Sequence, residues 1–327
     1  MLVAVPLQTD LYTYLALEFG IGIFDAGLEV SCNTWMLEMW QEAASPYMLG
    51  MYFVTSLGRS LALFSISPFL SDPHNHIPSN LRVPYTTIAI ILCSVAIIVF
   101  ATYWTRPYVQ PQRNESGDER QISTLEACLA RDENNNEATS SRSKWKHRLI
   151  VTMGCLIMCF GVNVKNLISF FLPSFIIDIG LGNEKGSVLA GVFQASYSVS
   201  RLVGAFIALR VPVKIMLLAC FVLLVGGNVS LLIFAHSSEP MVWTAILILG
   251  MGMSCVEAGT YCMLEQMIDV TNIISGSLVF SGSMASVIMT IVLEFTMEQY
   301  PFLFVYMNIF SIVVCLLTLF AFYFIDR

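Results

Sequence analysis

Apolar runs of about twenty residues recur along the whole chain, and this feature decides the fold class. Of the 327 residues, 56% are hydrophobic and 12% are charged, more apolar surface than a water-soluble core can hold. A helix of about twenty apolar residues is long enough to cross a bilayer. We therefore predict an all-α membrane protein. Nine runs qualify as membrane-spanning helices: 11–35, 47–69, 83–104, 149–172, 187–209, 213–234, 241–263, 276–295 and 302–324.

Several functional classes find no support in the sequence. The net charge of −7 and the absence of a basic patch exclude a nucleic-acid partner. The nine cysteines show no metal-binding spacing, and no P-loop, serine-hydrolase or zinc-protease motif occurs. We expect no enzymatic activity, no resident metal and no cofactor beyond Na⁺ or H⁺ as a coupling ion.

A long polar segment interrupts the apolar pattern. Of the 39 charged residues, 15 lie between Arg106 and Arg148, in a stretch rich in Asn, Ser, Glu and Arg that is typical of a disordered loop. It divides the chain into an apolar part at 1–104, a polar loop at 105–148 and an apolar part at 149–327. If this loop is cytoplasmic, eleven basic residues lie on the cytoplasmic side of the membrane and two on the other side, which is the orientation that basic residues favour. A glycosylation sequon at Asn114 favours the opposite orientation.

Two glycine-rich segments resemble each other and lie six predicted helices apart. Gly20 and Gly22 correspond to Gly250 and Gly252, and Met36-Leu37-Glu38 corresponds to Met263-Leu264-Glu265. Parallel six-helix repeats are a transporter architecture. The pattern predicts a helix bundle in which nine membrane-spanning helices are seen of an expected twelve, with the first three of the complete unit missing. Residues 1–104 would then be the remnant of an N-terminal six-helix half, with three helices, and 149–327 would be the C-terminal six-helix half.

An ionisable side chain inside a membrane span raises the free energy of membrane insertion, so its presence indicates a functional or structural role. Helix periodicity places Glu18, Asp25 and Glu29 on one face of the first span. We predict that Asp25, Glu29 and Glu257 take part in cation coupling, whereas pairing with basic residues is the structural alternative. Arg59 and Arg201 are interpreted as structural charges.

Polar and aromatic side chains within the spans suit a polyhydroxyl solute. Amide groups both donate and accept hydrogen bonds to hydroxyls, and aromatic faces pack on sugar rings. Interhelical hydrogen bonding is the alternative for each of them. Tyr52 and Tyr197 are further stacking surfaces. The predicted substrate-binding residues are Asn33, Trp35, Asn163, Lys165, Asn166, Gln194 and Tyr261.

The first span carries a recognisable motif. Glu29-Val30-Ser31-Cys32-Asn33, followed seven residues later by Trp40, resembles the fourth-helix motif of major facilitator superfamily transporters close to sodium-dependent glucose transporter 1 and major facilitator superfamily domain-containing 4. The segments around Arg201 and Glu257 also resemble this group. The resemblance implies a twelve-helix, alternating-access fold and sugar uptake coupled to a cation at the plasma membrane, in an N-terminally truncated chain.

Two functional readings follow from these patterns. The first is a secondary transporter that moves a small polar solute, a sugar by resemblance, through cation-coupled or facilitated alternating access. Its partners would be the solute and the lipid bilayer. The second is a truncated, non-transporting membrane protein that acts as a pseudo-transporter or an interaction partner.

Overall fold

A computed structural model describes residues 4–5, 10–66, 82–105, 136–235, 237–297, 299–300 and 302–325. Within these ranges the chain forms α-helices and a short 3₁₀ helix at Gln41–Ala43, and no strand. The all-helical expectation is confirmed for this part of the chain. The α-helices are α1 (Leu11–Trp40), α2 (Ala44–Ile66), α3 (Arg82–Thr105), α4 (Asn136–Asp178), α5 (Asn183–Ile207), α6 (Val213–Phe234), α7 (Glu239–Met253), α8 (Val256–Glu265), α9 (Asn272–Thr296) and α10 (Leu303–Ile325).

The chain separates into two compact units. The first comprises Met1–Cys32 and Val54–Gln110, and the second comprises Asn33–Phe53 and Pro111–Arg327. In the second unit, α9 and α10 pack on α4, while α7 packs between α5 and α6. The division by contacts runs through α1 and α2, whereas the sequence suggested boundaries at 104 and 148. The predicted organisation into two transporter halves stays a prediction.

Among the described residues, six helical segments are long and apolar enough to cross a membrane. They are Arg82–Thr105, Trp145–Asp178, Val213–Phe234, Glu239–Glu265, Asn272–Thr296 and Leu303–Phe324. The helices α1, α2 and α5 have 30, 23 and 25 residues but do not join this set. The count of nine spans therefore stays a prediction.

Helix α4 is longer than the apolar run that predicted it. It begins at Asn136, so its first turns fall in the segment expected to be a loop. No glycine or proline occurs from Asn136 to Met153, and nothing therefore stops the helix from extending into the polar sequence. The rest of the predicted loop, 106–135, lies outside the described residues.

The predicted span at 241–263 is two helices. Helix α7 ends at Met253 and α8 begins at Val256. Ser254 causes a local tightening, because its N–H and its hydroxyl both donate to the carbonyl oxygen of Met251, at 3.3 and 2.8 Å. Gly252 and Met253 at the end of α7 are buried, as is α8 from Val256 to Leu264, so the break lies inside the second unit.

Glycines allow α7 to approach its neighbours closely. A Cβ added to Gly252 would lie 2.9 Å from the carbonyl oxygen of Cys220 and 2.9 Å from the backbone nitrogen of Leu224, both on α6. A Cβ added to Gly226, on α6 itself, would meet nothing within 4 Å. The α6–α7 contact therefore depends on Gly252 and not on Gly226.

We expect Gly252→Ala to lower the free energy of unfolding by about 1–3 kcal/mol, because the new methyl group would push two backbones apart. Gly226→Ala is the matched control and should leave stability unchanged or raise it, since alanine favours the helix by about 1 kcal/mol. Thermal unfolding of both purified variants in the same detergent tests this. Equal stability of the two variants would contradict the packing described.

Candidate functional site

A buried cluster of three charged side chains lies in the second unit. Glu257 of α8 pairs through Oε1 with Nζ of Lys165 from α4. Its Oε2 accepts a hydrogen bond of 2.6 Å from Nη2 of Arg201 on α5. The side chains of Lys165, Arg201 and Glu257 are only 15%, 2% and 6% exposed. One carboxylate therefore holds three helices together in an apolar interior.

Arg201 is fixed on every side of its guanidinium group. Nη1 donates to the carbonyl oxygen of Tyr52 at 3.0 Å, and Nε donates to that of Ser254 at 3.4 Å. The Cζ atom lies 4.0 Å from the ring centroid of Tyr197 and 4.9 Å from that of Tyr52, both within cation–π range. The hydroxyl of Tyr197 also donates to Oε2 of Glu257, at 3.4 Å.

The break between α7 and α8 provides a hydrogen-bond acceptor for this cluster. A carbonyl within a regular helix accepts from the residue four positions on. At the break the carbonyl of Ser254 instead accepts from Arg201, two residues before the start of α8. Glu257 then lies in the first turn of α8, where the positive end of the helix dipole favours a carboxylate.

The two basic residues are held differently. Arg201 joins its carboxylate, two carbonyl oxygens and two aromatic rings, so moving it would break several contacts at once. Lys165 has a flexible four-carbon side chain and is the more exposed of the two cations. Lys165 is therefore the less firmly held of the two cations.

Other predicted solute-binding residues of α4 contact different helices. The amide nitrogen of Asn163 donates to the hydroxyl of Ser311 on α10 at 3.5 Å, and that of Asn166 donates to Ser286 on α9 at 2.8 Å. Asn163 is two residues from Lys165 and so lies on nearly the opposite face of α4. These bonds are the interhelical kind that formed the alternative interpretation.

Two further predicted solute-binding residues lie on the same helix faces as Glu257 and Arg201. Tyr261 is buried one turn after Glu257 on α8, and Gln194 is half-buried two turns before Arg201 on α5. Neither is part of the ion pairs, and their role in binding a solute stays a prediction.

The candidates on α1 and α2 lie apart from this cluster along the chain. Asp25 and Glu29 on α1 and Arg59 on α2 are exposed and belong to the first unit. Asn33 and Trp35 lie on the end of α1 that belongs to the second unit, where Asn33 is fully buried and Trp35 is 48% exposed. The roles predicted for these five residues stay predictions.

The sequence pattern does not predict the role of Ser254. It predicts Tyr52 and Tyr197 as stacking surfaces for a sugar, whereas in the structure their rings pack on Arg201. The spacing of Tyr197 and Arg201, four residues apart on one helix, was the available signal. For Ser254 the signal was weaker: it follows Gly250 and Gly252, which lower helix propensity. Among the described residues, no group of three or more His, Cys, Asp or Glu side chains could hold a metal ion.

The long apolar helices define a multi-pass integral membrane protein. The family model of the Major Facilitator Superfamily matches residues 1–289, which is most of the chain. The chain belongs to this superfamily of membrane transporters, whose members carry small-molecule solutes. Among curated proteins, none matches the chain.

The cluster predicts an order of stability among single variants. Glu257→Gln should cost the most, about 3–5 kcal/mol, since it leaves two buried cations without their carboxylate. Arg201→Met keeps the Lys165–Glu257 pair but loses two bonds to carbonyl oxygens, so its cost should be intermediate. Lys165→Met leaves the best-connected pair intact and should cost the least. Chemical unfolding in mixed micelles measures all three, and Lys165→Met as the most damaging variant would overturn this description.

Proposed function

We propose that this chain moves a small polar solute by alternating access, with the Lys165–Glu257–Arg201 cluster at the centre of its binding and coupling site. One observation supports the proposal: the buried carboxylate of Glu257 is shared between Arg201, which also contacts two carbonyl oxygens and two aromatic rings, and the more exposed Lys165. A carrier needs such an element, because its two states must differ in their interactions with the ion or solute.

Coupling would operate by competition for Glu257. A proton or a sodium ion that binds the carboxylate would replace Lys165, because neutralising Glu257 removes the attraction that holds the ammonium group. Arg201 would stay in place through its carbonyl and aromatic contacts. Helices α4 and α8 would lose the ion pair between them, and the bundle could then move from one state to the other.

The released Lys165 would then be available to the solute. An ammonium group donates up to three hydrogen bonds and suits the hydroxyl oxygens of a sugar. The resemblance of the Glu29–Asn33 segment to sodium-dependent sugar transporters favours this solute class. Gln194 and Tyr261, on the faces of α5 and α8 that carry Arg201 and Glu257, are the nearest supporting candidates on these helices.

The remaining details of the proposal come from sequence patterns. We infer nine spans that correspond to the last nine of a twelve-helix bundle, a central loop in the cytoplasm and residence in the plasma membrane. Asp25 and Glu29 would form a second acidic element in cation coupling. A non-transporting membrane protein remains the alternative that the experiment below separates.

Uptake of radiolabelled glucose into proteoliposomes tests the proposal, with and without an inward sodium or proton gradient. The wild-type chain should take up glucose faster with a gradient, and Glu257→Gln should abolish this acceleration. Lys165→Met should show weaker uptake that depends less on the gradient, because methionine neither competes with the cation for Glu257 nor donates hydrogen bonds to the solute.

Lys185→Met is the matched control. Lys185 pairs with Glu239 at 2.7 Å, but their side chains are 45% and 38% exposed, so the loss of this pair should change neither stability nor uptake appreciably. If the folded wild-type chain takes up no glucose, the sugar assignment is wrong and the non-transporting reading gains support. If Glu257→Gln keeps full gradient dependence, the cluster is not the coupling site.

A further inference from the structure

A cavity of about 390 Å³ lies between α5, α6 and the break that separates α7 from α8. Two cysteines line it, Cys220 of α6 and Cys255 of the break. Both are free thiols, and they are only 6% and 5% exposed. Neither thiol belongs to the Lys165–Glu257–Arg201 cluster, so the site described so far leaves this pair without a role.

The two thiol groups interact directly with each other. The Sγ atom of Cys255 also lies 3.5 Å from the hydroxyl oxygen of Ser254. Cys220 and Cys255 belong to different helical segments, so tertiary packing and not helix periodicity brings them together. The cavity therefore holds a pair of neighbouring thiols and not a lone cysteine.

The backbones beside the two thiols approach each other unusually closely. A disulfide needs its Cα atoms about 4.4–6.8 Å apart, whereas the axes of packed helices are about 8–10 Å apart. Beside this pair, a Cβ added to Gly252 of α7 would lie 2.9 Å from the carbonyl oxygen of Cys220. On the other side, a Cβ added to Gly204 of α5 would lie 3.2 Å from Sγ of Cys255. Glycines thus provide the close approach that a bond between the two sulfurs requires.

The cavity suits a small neutral oxidant. Among its described lining residues none is charged, and the polar groups are the two thiols and the hydroxyls of Ser196, Ser200 and Ser254. A volume of about 390 Å³ is ample for a molecule the size of hydrogen peroxide, since about 10–15 Å³ suffices for one water.

We propose that Cys220 and Cys255 are a modification site, at which a hydroperoxide converts the two thiols to a disulfide. With hydrogen peroxide, one sulfur attacks a peroxide oxygen and becomes a sulfenic acid, while the O–O bond breaks and the first water leaves. The second sulfur then attacks the sulfenic sulfur, the S–S bond forms and the second water leaves. The thiols lose two hydrogen atoms and two electrons, and an external dithiol reverses the reaction by exchange.

The disulfide would join α6 to the backbone beside the charge cluster. The carbonyl oxygen of Ser254, the residue before Cys255, accepts the hydrogen bond from Nε of Arg201. The cross-link would therefore restrain the position of that acceptor relative to α6. The proposal requires no transported solute and no coupling ion, so it stands apart from the proposed function.

Peptide mapping of the purified full-length chain tests the proposal. The folded protein in detergent is treated with hydrogen peroxide and then unfolded, the remaining thiols are alkylated, and the digest is analysed by mass spectrometry. The folded wild type should lose the alkylated forms of Cys220 and Cys255 together and gain a peptide in which the two are linked. Dithiothreitol added before alkylation should restore both thiols.

Variants and an unfolded control make the result specific. Cys220→Ala and Cys255→Ala should each abolish the linked peptide, with a Tm before oxidation that confirms folding. Cys262→Ala removes another buried thiol, one outside the described lining of the cavity, and should oxidise as wild type does.

Wild type unfolded in dodecyl sulfate before oxidation should distribute its disulfides among many cysteine pairs, because the fold no longer holds these two together. Three results would overturn the proposal: no Cys220–Cys255 peptide from the folded chain, an equal yield of it from the unfolded chain, or sulfinic or sulfonic acid at either cysteine in its place.

Discussion

A carboxylate in an apolar interior must be paired, and the arrangement around Glu257 follows from this constraint. Moving an ionised group out of water costs several kcal/mol even after the protein relaxes, and only close, well-hydrogen-bonded partners offset that cost. Glu257 obtains its partners from two other helices, which brings Lys165 of α4 and Arg201 of α5 to one point. The buried guanidinium group of Arg201 must also be hydrogen-bonded. Its remaining N–H groups donate to the carbonyl oxygens of Tyr52 and Ser254.

The backbone around Glu257 is built to meet that requirement. A continuous helix through Ser254 would use its carbonyl within the helix, whereas the break between α7 and α8 gives it to Arg201. Gly250 and Gly252 bring α7 against α5 and α6, so the break lies among tightly packed helices. A Cβ at Gly250 would lie 2.8 Å from the carbonyl oxygen of Phe193 on α5, four residues before Tyr197. Helix α5 therefore contributes both to the close packing with α7 and to the charge pairing with α8.

The helices were largely predictable from sequence, because their apolar length is set by the bilayer. The break at Ser254 was not, since it depends on a hydrogen-bond partner far away in sequence. The extension of α4 to Asn136 is not predicted by hydropathy. Hydropathy indicates which part of a helix can lie in lipid, but it does not indicate where the helix begins. For the site, the sequence predicts Glu257 as a coupling carboxylate, Arg201 as a structural charge and Lys165 as a solute-binding residue. Their mutual pairing and the turning of Asn163 towards α10 depend on tertiary packing, which periodicity alone does not give.

Glu257 and Arg201 form one paired unit on which the cluster depends. A double-mutant cycle on Arg201→Met and Glu257→Gln measures this pairing most directly, through the free energy of unfolding of the wild type, both single variants and the double variant. We expect a coupling energy of about 2 kcal/mol or more, with the double variant more stable than Glu257→Gln alone, because the unpaired guanidinium is removed. Additive effects, with a coupling energy near zero, would contradict the pairing.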